Sequence, residues 1–209
     1  LVLPPGLQVQ LPGDARVVSV AILVLAAGGS RRLGSPKQLL AFRGTTLLDV
    51  TLSTARQAAL DQVVVALGGA AEQVQVRVDL TGTDPVLNPD FGDGCASSIR
   101  SALAHVRDDA EGVVLLLGDQ PGVTVATIHA LVAGARGHAV GVCAYDDGPG
   151  HPLWFDRSMF ETLRGLHGDK AVWKLVDTGE GVVRVPVPGP VPQDVDTWDD
   201  YRALLESAG

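Results

Sequence analysis

Residues 17–37 read VVSVAILVLAAGGSRRLGSPK. A continuous apolar run reaches Ala26 and is then broken by Gly28 and Gly29, the pattern of a fully buried first strand that ends in a tight loop. Working outward, residues 47–60 (LLDVTLSTARQAAL) carry apolar side chains at helical spacing, 63–67 form a second apolar run that stops at Gly68 and Gly69, and 70–79 read as a second helix. The same alternation predicts a short strand at 85–87, a helix at 97–106, a strand at 113–117, a helix at 125–135 and a strand at 139–144. The final third is less regular, with Gly148-Pro149-Gly150 and a proline-rich stretch at 186–192 before a last helix at 198–207. Strands alternating with helices imply an α/β fold: one Rossmann-like, three-layer α/β/α sandwich around a mostly parallel sheet.

Composition agrees. Apolar residues make up 46% of the 209 against 19% charged, which suits a buried sheet better than a bundle or a disordered chain. That length fits one domain, so residues 17–209 are expected to form it and 1–16 to be a tail without the basic start and long apolar core of a signal peptide. No apolar run is long enough to span a membrane, and a formal charge of −8 excludes nucleic acid as a natural partner, because a phosphate backbone demands a basic face. Cys95 and Cys143 lie far apart and outside any zinc or disulfide pattern, so a reducing cytoplasm is expected.

The basic residues Arg31, Arg32, Lys37 and Arg43 cluster around the glycine-rich segment, which points to a small anionic ligand. Loops beyond the carboxyl ends of strands let backbone N–H groups approach phosphate oxygens. The spacing fits neither a dinucleotide-binding G-x-G-x-x-G nor a G-x-x-x-x-G-K-[ST] phosphate loop, so a nicotinamide-dependent oxidoreductase is disfavoured. The strand at 113–117 delivers Asp119 at its carboxyl end within VVLLLGDQP (113–121), where a hard cation bridging triphosphate oxygens is expected; helix capping is the competing role. Asp194 and Asp196, two apart in QDVDTWDD (193–200), share a side if extended; Asp196 and Thr197 might equally be read as N-cap residues of the last helix. His105, His129 and His138 carry no ligand spacing and are read as structural.

LAAGGSRRLGSPK (25–37) resembles the L-A-A-G-x-S-x-R-x-G-x-P-K signature of the nucleotidyltransferases that include the molybdenum cofactor nucleotide transferases, with all nine fixed positions matched. The resemblance implies a fold of the nucleotide-diphospho-sugar transferase type. It implies that Leu25, Ala26, Ala27, Gly28, Gly29 and Ser30 cradle a nucleoside triphosphate, with Arg32 and Lys37 at the phosphates, and leaves Arg31 and Arg43 as solvated charges. It places base recognition at Gly68 and in NPDFGDGCASS (88–98), chiefly Asn88 and Ser98. It makes Asp119 a catalytic metal ligand, and QDVDTWDD is similar to a D-I-D-T-P-E-D segment that makes Asp196 or Asp194 the second, with Trp198 in place of the usual proline.

Gly150-His151-Pro152 matches a segment of the cytidylyltransferase branch, and with it His151 and Asp169 are implied at the acceptor. Family members carry L-x-G-D-x-G-A-R there. This chain has LHGDKAVW (166–173), lacking the second glycine and the arginine, so acceptor identity is the less secure inference. The implied activity is transfer of CMP from CTP, with Mg2+ or Mn2+, to the phosphate of a molybdopterin-type acceptor, with transient contact to a molybdenum hydroxylase or its maturation factor. The alternatives are a guanylyltransferase acting on the same or another phosphorylated acceptor, and a non-catalytic protein that carries the molybdenum cofactor.

Overall fold

The computed structural model describes residues 19–30, 32–168, 171–177 and 181–207. The proposed tail, Arg31, Asp169 and Lys170 therefore lie outside the described residues. A seven-stranded sheet in the order β5-β4-β1-β6-β8-β7-β9 forms the middle layer. Its strands are β1 (Ser19–Ala26), β4 (Gln62–Leu67), β5 (Asp84–Leu87), β6 (Ala110–Leu117), β7 (Val140–Tyr145), β8 (Gly148–Asp156) and β9 (Val182–Pro186). Two two-residue strands, β2 (Ala41–Phe42) and β3 (Thr45–Thr46), make a separate hairpin with Arg43 in its turn.

The alternation of β1 side chains divides the core. Val20, Ile22, Val24 and Ala26 face one apolar layer, while Ala21 and Leu23 face the other. The first layer is covered by α1 (Leu47–Gln57), α2 (Ala71–Arg77) and α4 (Val125–Ala135); the second by α3 (Cys95–Leu103), α5 (Phe160–Arg164) and α6 (Ala171–Asp177). Since both faces of β1 are covered, every position must be apolar or small, and that is why the run reads without a polar period. At the start of α1, Thr46 accepts a bond from the Asp49 backbone and Asp49 returns one to Thr46, a reciprocal cap that fixes where the helix begins. Among the described residues no helix is long and apolar enough to cross a membrane.

The expected strands and helices are all present, within a few residues of their predicted ends, and α4 and α7 (Trp198–Ser207) coincide with the expected ranges. The correction concerns 148–156. Gly148-Pro149-Gly150 reads as irregular chain, yet it begins β8, which lies antiparallel between β6 and β7. Only Asp146 and Asp147 separate β7 from β8, and so short a link can join antiparallel strands alone. β9 and the short helices α5 and α6 also escaped the periodicity, being too brief to display one.

Topology positions the site. From β1 the chain builds β4 and β5 on one side, then crosses to place β6 on the other side of β1. The loops that leave the carboxyl ends of β1 and β6 thus diverge, opening the crevice in which doubly wound sheets bind ligands.

On β6, a Cβ at Gly112 would meet the Trp154 ring of β8 at 2.2 Å. Gly112→Ala is expected to destabilise the protein by roughly 1–3 kcal/mol through overpacking, measured as a lowered urea midpoint with an unchanged slope.

Candidate active site

The crevice is a cleft of about 730 Å³ whose lining includes residues 25–30, Arg32, Lys37 and Gln38 from the first loop, Gly118 and Asp119 after β6, and Asp194 and Asp196. Two buried contacts shape the first loop. The Lys37 backbone N–H donates to the Ser30 hydroxyl at 2.9 Å, closing residues 30–37 into a ring, with Ser30 in the left-handed region at φ 48°. The buried Gln38 amide donates to the carbonyls of Ala26 and Gly28, at 2.7 and 3.0 Å, pulling the strand end and the loop together.

Lys37 is the hub. Its ammonium donates to the Asp119 carboxylate and, at 2.9 Å, to Asp196. Arg32 donates to the second oxygen of Asp196 at 2.6 Å. Burial opposes charge on Lys37, but the two carboxylates outweigh it and hold its pKa above the ordinary lysine value. For Asp196, partial burial is likewise outweighed, by Lys37 and then Arg32, and its carboxyl titrates below the usual range. Asp194 goes the other way: desolvation of its carboxylate, then the charges of Asp119 and Asp196, raise its pKa against the opposing amide of Gln120, which donates to it.

The two readings of the 194–197 segment are both satisfied, by different residues. Thr197 is the cap: its hydroxyl accepts from the Asp200 backbone at 3.2 Å, and Asp200 accepts from the backbones of Asp196 and Thr197. The Asp196 side chain is left to turn toward Lys37 and Arg32. Val195, fully buried between the two aspartates, anchors the segment in a small apolar cluster with Leu33, Phe42, Leu47 and Leu204.

Asn88, 1% exposed, donates to the Ser97 and Ser98 hydroxyls at 2.9 and 3.0 Å and accepts from the Asp90 backbone. Its side chain therefore braces the turn before α3, while Ser98 lines the cleft. Gly68 lies beneath the first loop, where an added Cβ would stand 2.4 Å from the Ala27 carbonyl oxygen, so only glycine allows that approach.

His151 lines the cleft but is buried, and burial pushes its pKa down to about 4, leaving a neutral imidazole. It meets the Trp173 ring edge-on, centroids 5.3 Å apart and planes at 85°. Arg43 is remote from the cleft lining, its guanidinium over the Phe42 ring. His105 and His129 bond the backbone carbonyls of Ser101 and Ala58, in keeping with structural roles.

Among the described residues no three His, Cys, Asp or Glu side chains form a group able to hold a metal by themselves. The donor chemistry nevertheless fits a hard divalent cation. Asp119 and Asp196 converge on one positive centre, all-oxygen in character, and a triphosphate supplies further oxygens.

This chain matches the MobA-like NTP transferase domain over residues 22–183. It belongs to that family. The MobA-like chain is similar to a homologue of Mycobacterium tuberculosis Rv0371c from Mycobacterium sp. strain JC1, with 54% identity and a TM-score of 0.87, covering 90% of this chain and 96% of that one. Rv0371c from M. tuberculosis H37Rv, solved in complex with manganese, is 51% identical with a TM-score of 0.83, covering 91% and 100%. A nicotine blue oxidoreductase from Paenarthrobacter nicotinovorans is 34% identical over 157 residues, 70% of this MobA-like transferase and 76% of the relative.

Gln38 was not singled out in the sequence, although a buried amide beside the signature lysine is the kind of group that orders a loop. Gln38→Leu would strand two carbonyls. It is expected to cost roughly 1–3 kcal/mol in thermal or urea unfolding, and to weaken nucleotide binding beyond that loss.

Proposed function

We propose that this protein transfers a nucleoside monophosphate, CMP from CTP by preference, to the phosphate of a molybdopterin-type acceptor in the cytoplasm. The reading rests on one arrangement: Lys37 and Arg32 converge with Asp119 and Asp196 where the β1 and β6 loops diverge, above the glycine-rich backbone. Residues 25–30 cradle the triphosphate, and Lys37 and Arg32 face the negative charge that grows on it. An acceptor phosphate oxygen forms a bond to the α-phosphorus as the bond to the bridging oxygen breaks, and pyrophosphate leaves with that electron pair. No protein nucleophile is needed.

Asp119 and Asp196 would hold Mg2+ or Mn2+, and Asp194, bonded to Gln120, stands behind them. A bound divalent ion neutralises triphosphate charge and orients its oxygens. The manganese complex of Rv0371c supports this part of the reading. Gly68, Asn88 and Ser98 shape the base pocket. His151 and Asp169 face the acceptor; a neutral His151 does so as a hydrogen-bonding group rather than as a cation.

The relative named as an oxidoreductase favours one competing reading, a nicotinamide-dependent reductase. Pyrophosphate release from CTP, GTP, ATP and UTP, with Mn2+ or Mg2+ and with or without molybdopterin, separates the readings when products are identified by mass. Acceptor-dependent release with CTP is expected, falling by about 10²–10³ in Asp119→Ala. Preference for GTP would make the enzyme a guanylyltransferase. NAD(P)H oxidation without pyrophosphate release would overturn the transferase assignment, and maturation of a target enzyme by Asp119→Ala would make the protein a carrier.

The two C-terminal aspartates are expected to separate in Mn2+ titrations followed by electron paramagnetic resonance with CTP present. Asp196→Asn should weaken binding on the order of tenfold or more and Asp194→Asn much less; the reverse order would transfer the ligand role to Asp194.

A further inference from the structure

The lining of the cleft is chemically divided. Its charged side chains, Arg32, Lys37, Asp119, Asp194 and Asp196, come from the loops after β1 and β6 and from the 194–196 segment. The other wall is built from α3, β6, β8 and α6, and there Cys95, Leu115, His151, Val172 and Trp173 line it. Leu115 and Val172 belong to the core layer beneath α3, α5 and α6, with Cys95 and Trp173 packed against it. Among the described lining residues the only cations are Arg32 and Lys37, both already bonded to carboxylates. The α3–α6 wall therefore has no charge with which to clamp a phosphate.

It has two aromatic planes instead. Trp173 and His151 stand nearly perpendicular at 85° and form a corner in the cleft wall. A flat ring that stacks on either one meets the other with its edge, so the corner accepts a planar group whichever plane it uses. Both planes are held in place. Tyr145 donates to the His151 carbonyl at 2.7 Å, and Val172 and Val176, on either side of Trp173 in the helix, are buried in the core. Burial keeps the imidazole uncharged, so it offers in-plane hydrogen bonding without attracting an anion.

We propose that Trp173 and His151 form an aromatic subsite that stacks a planar, uncharged heteroaromatic ring of the acceptor, leaving the acceptor's phosphate to the Lys37 side of the cleft. This rests on the transferase reading for the name acceptor, but the ring-binding corner itself does not depend on it. Where the resembling family has an arginine, a tryptophan exchanges a charge clamp for a stacking surface. The ligand class is a fused heterocycle of the pterin kind, recognised by its face and not by its charge.

The test is calorimetric binding of neopterin, an unphosphorylated pterin, with glycerol 3-phosphate as the non-aromatic anion and CTP with Mn2+ as the nucleotide. In wild type, neopterin should bind and glycerol 3-phosphate should not displace it. Trp173→Phe should hold neopterin within about threefold, whereas Trp173→Ala and Trp173→Arg should lose on the order of tenfold. CTP affinity should stay within about twofold in all three, which also reports that each variant is folded. No neopterin binding by wild type, equal binding by Trp173→Ala, or displacement by glycerol 3-phosphate would each sink the proposal. Trp173-dependent neopterin binding in a protein that releases no pyrophosphate from any nucleotide would support the subsite while removing the transferase reading.

Discussion

An ammonium group taken mostly out of water must be met by opposite charge or be given up as an ion. Lys37 is such a group, and its partners Asp119 and Asp196 lie 82 and 159 residues further along the chain. The demand for compensation therefore ties together three distant segments: the first loop, the end of β6 and the stretch before α7. Gln38, Ser30 and Val195 make sense in that setting, since each fixes the backbone that carries one of the charged groups. The sheet supplies the platform, and the lysine determines what stands on it.

The balance of sign at this centre also explains its suitability for a triphosphate. Two cations face three carboxylates, an acidic cluster that a divalent ion would bring toward neutrality and a bare polyanion would not. The elevated pKa of Asp194 records the same excess of negative charge from the carboxylate side.

Sequence reading succeeded where one physical rule dominated. β1 could be recognised because burial on both faces excludes polar residues, and Asp119 because an apolar strand has to end somewhere and ended on a carboxylate before Pro121. It failed at β8, whose opening glycines and proline signal a turn whether or not a strand follows, and at Gln38, whose role depends on two carbonyls close to it in space but unremarkable in sequence. The choice between Asp194 and Asp196 could not be made from spacing either. It depended on Thr197 taking the cap and freeing its neighbour, a division of labour that becomes visible only when both helix and cleft are in place.

The order of these segments along the chain has a consequence for synthesis. All seven strands of the large sheet are complete by Pro186, but Asp194 and Asp196 follow it. A growing polypeptide can thus lay down its whole scaffold, including the loop that bears Lys37, before the carboxylates that finish the charged centre have been made. Structural maturity comes first and chemical competence second, so the last-translated segment acts as the key that arms an otherwise finished fold.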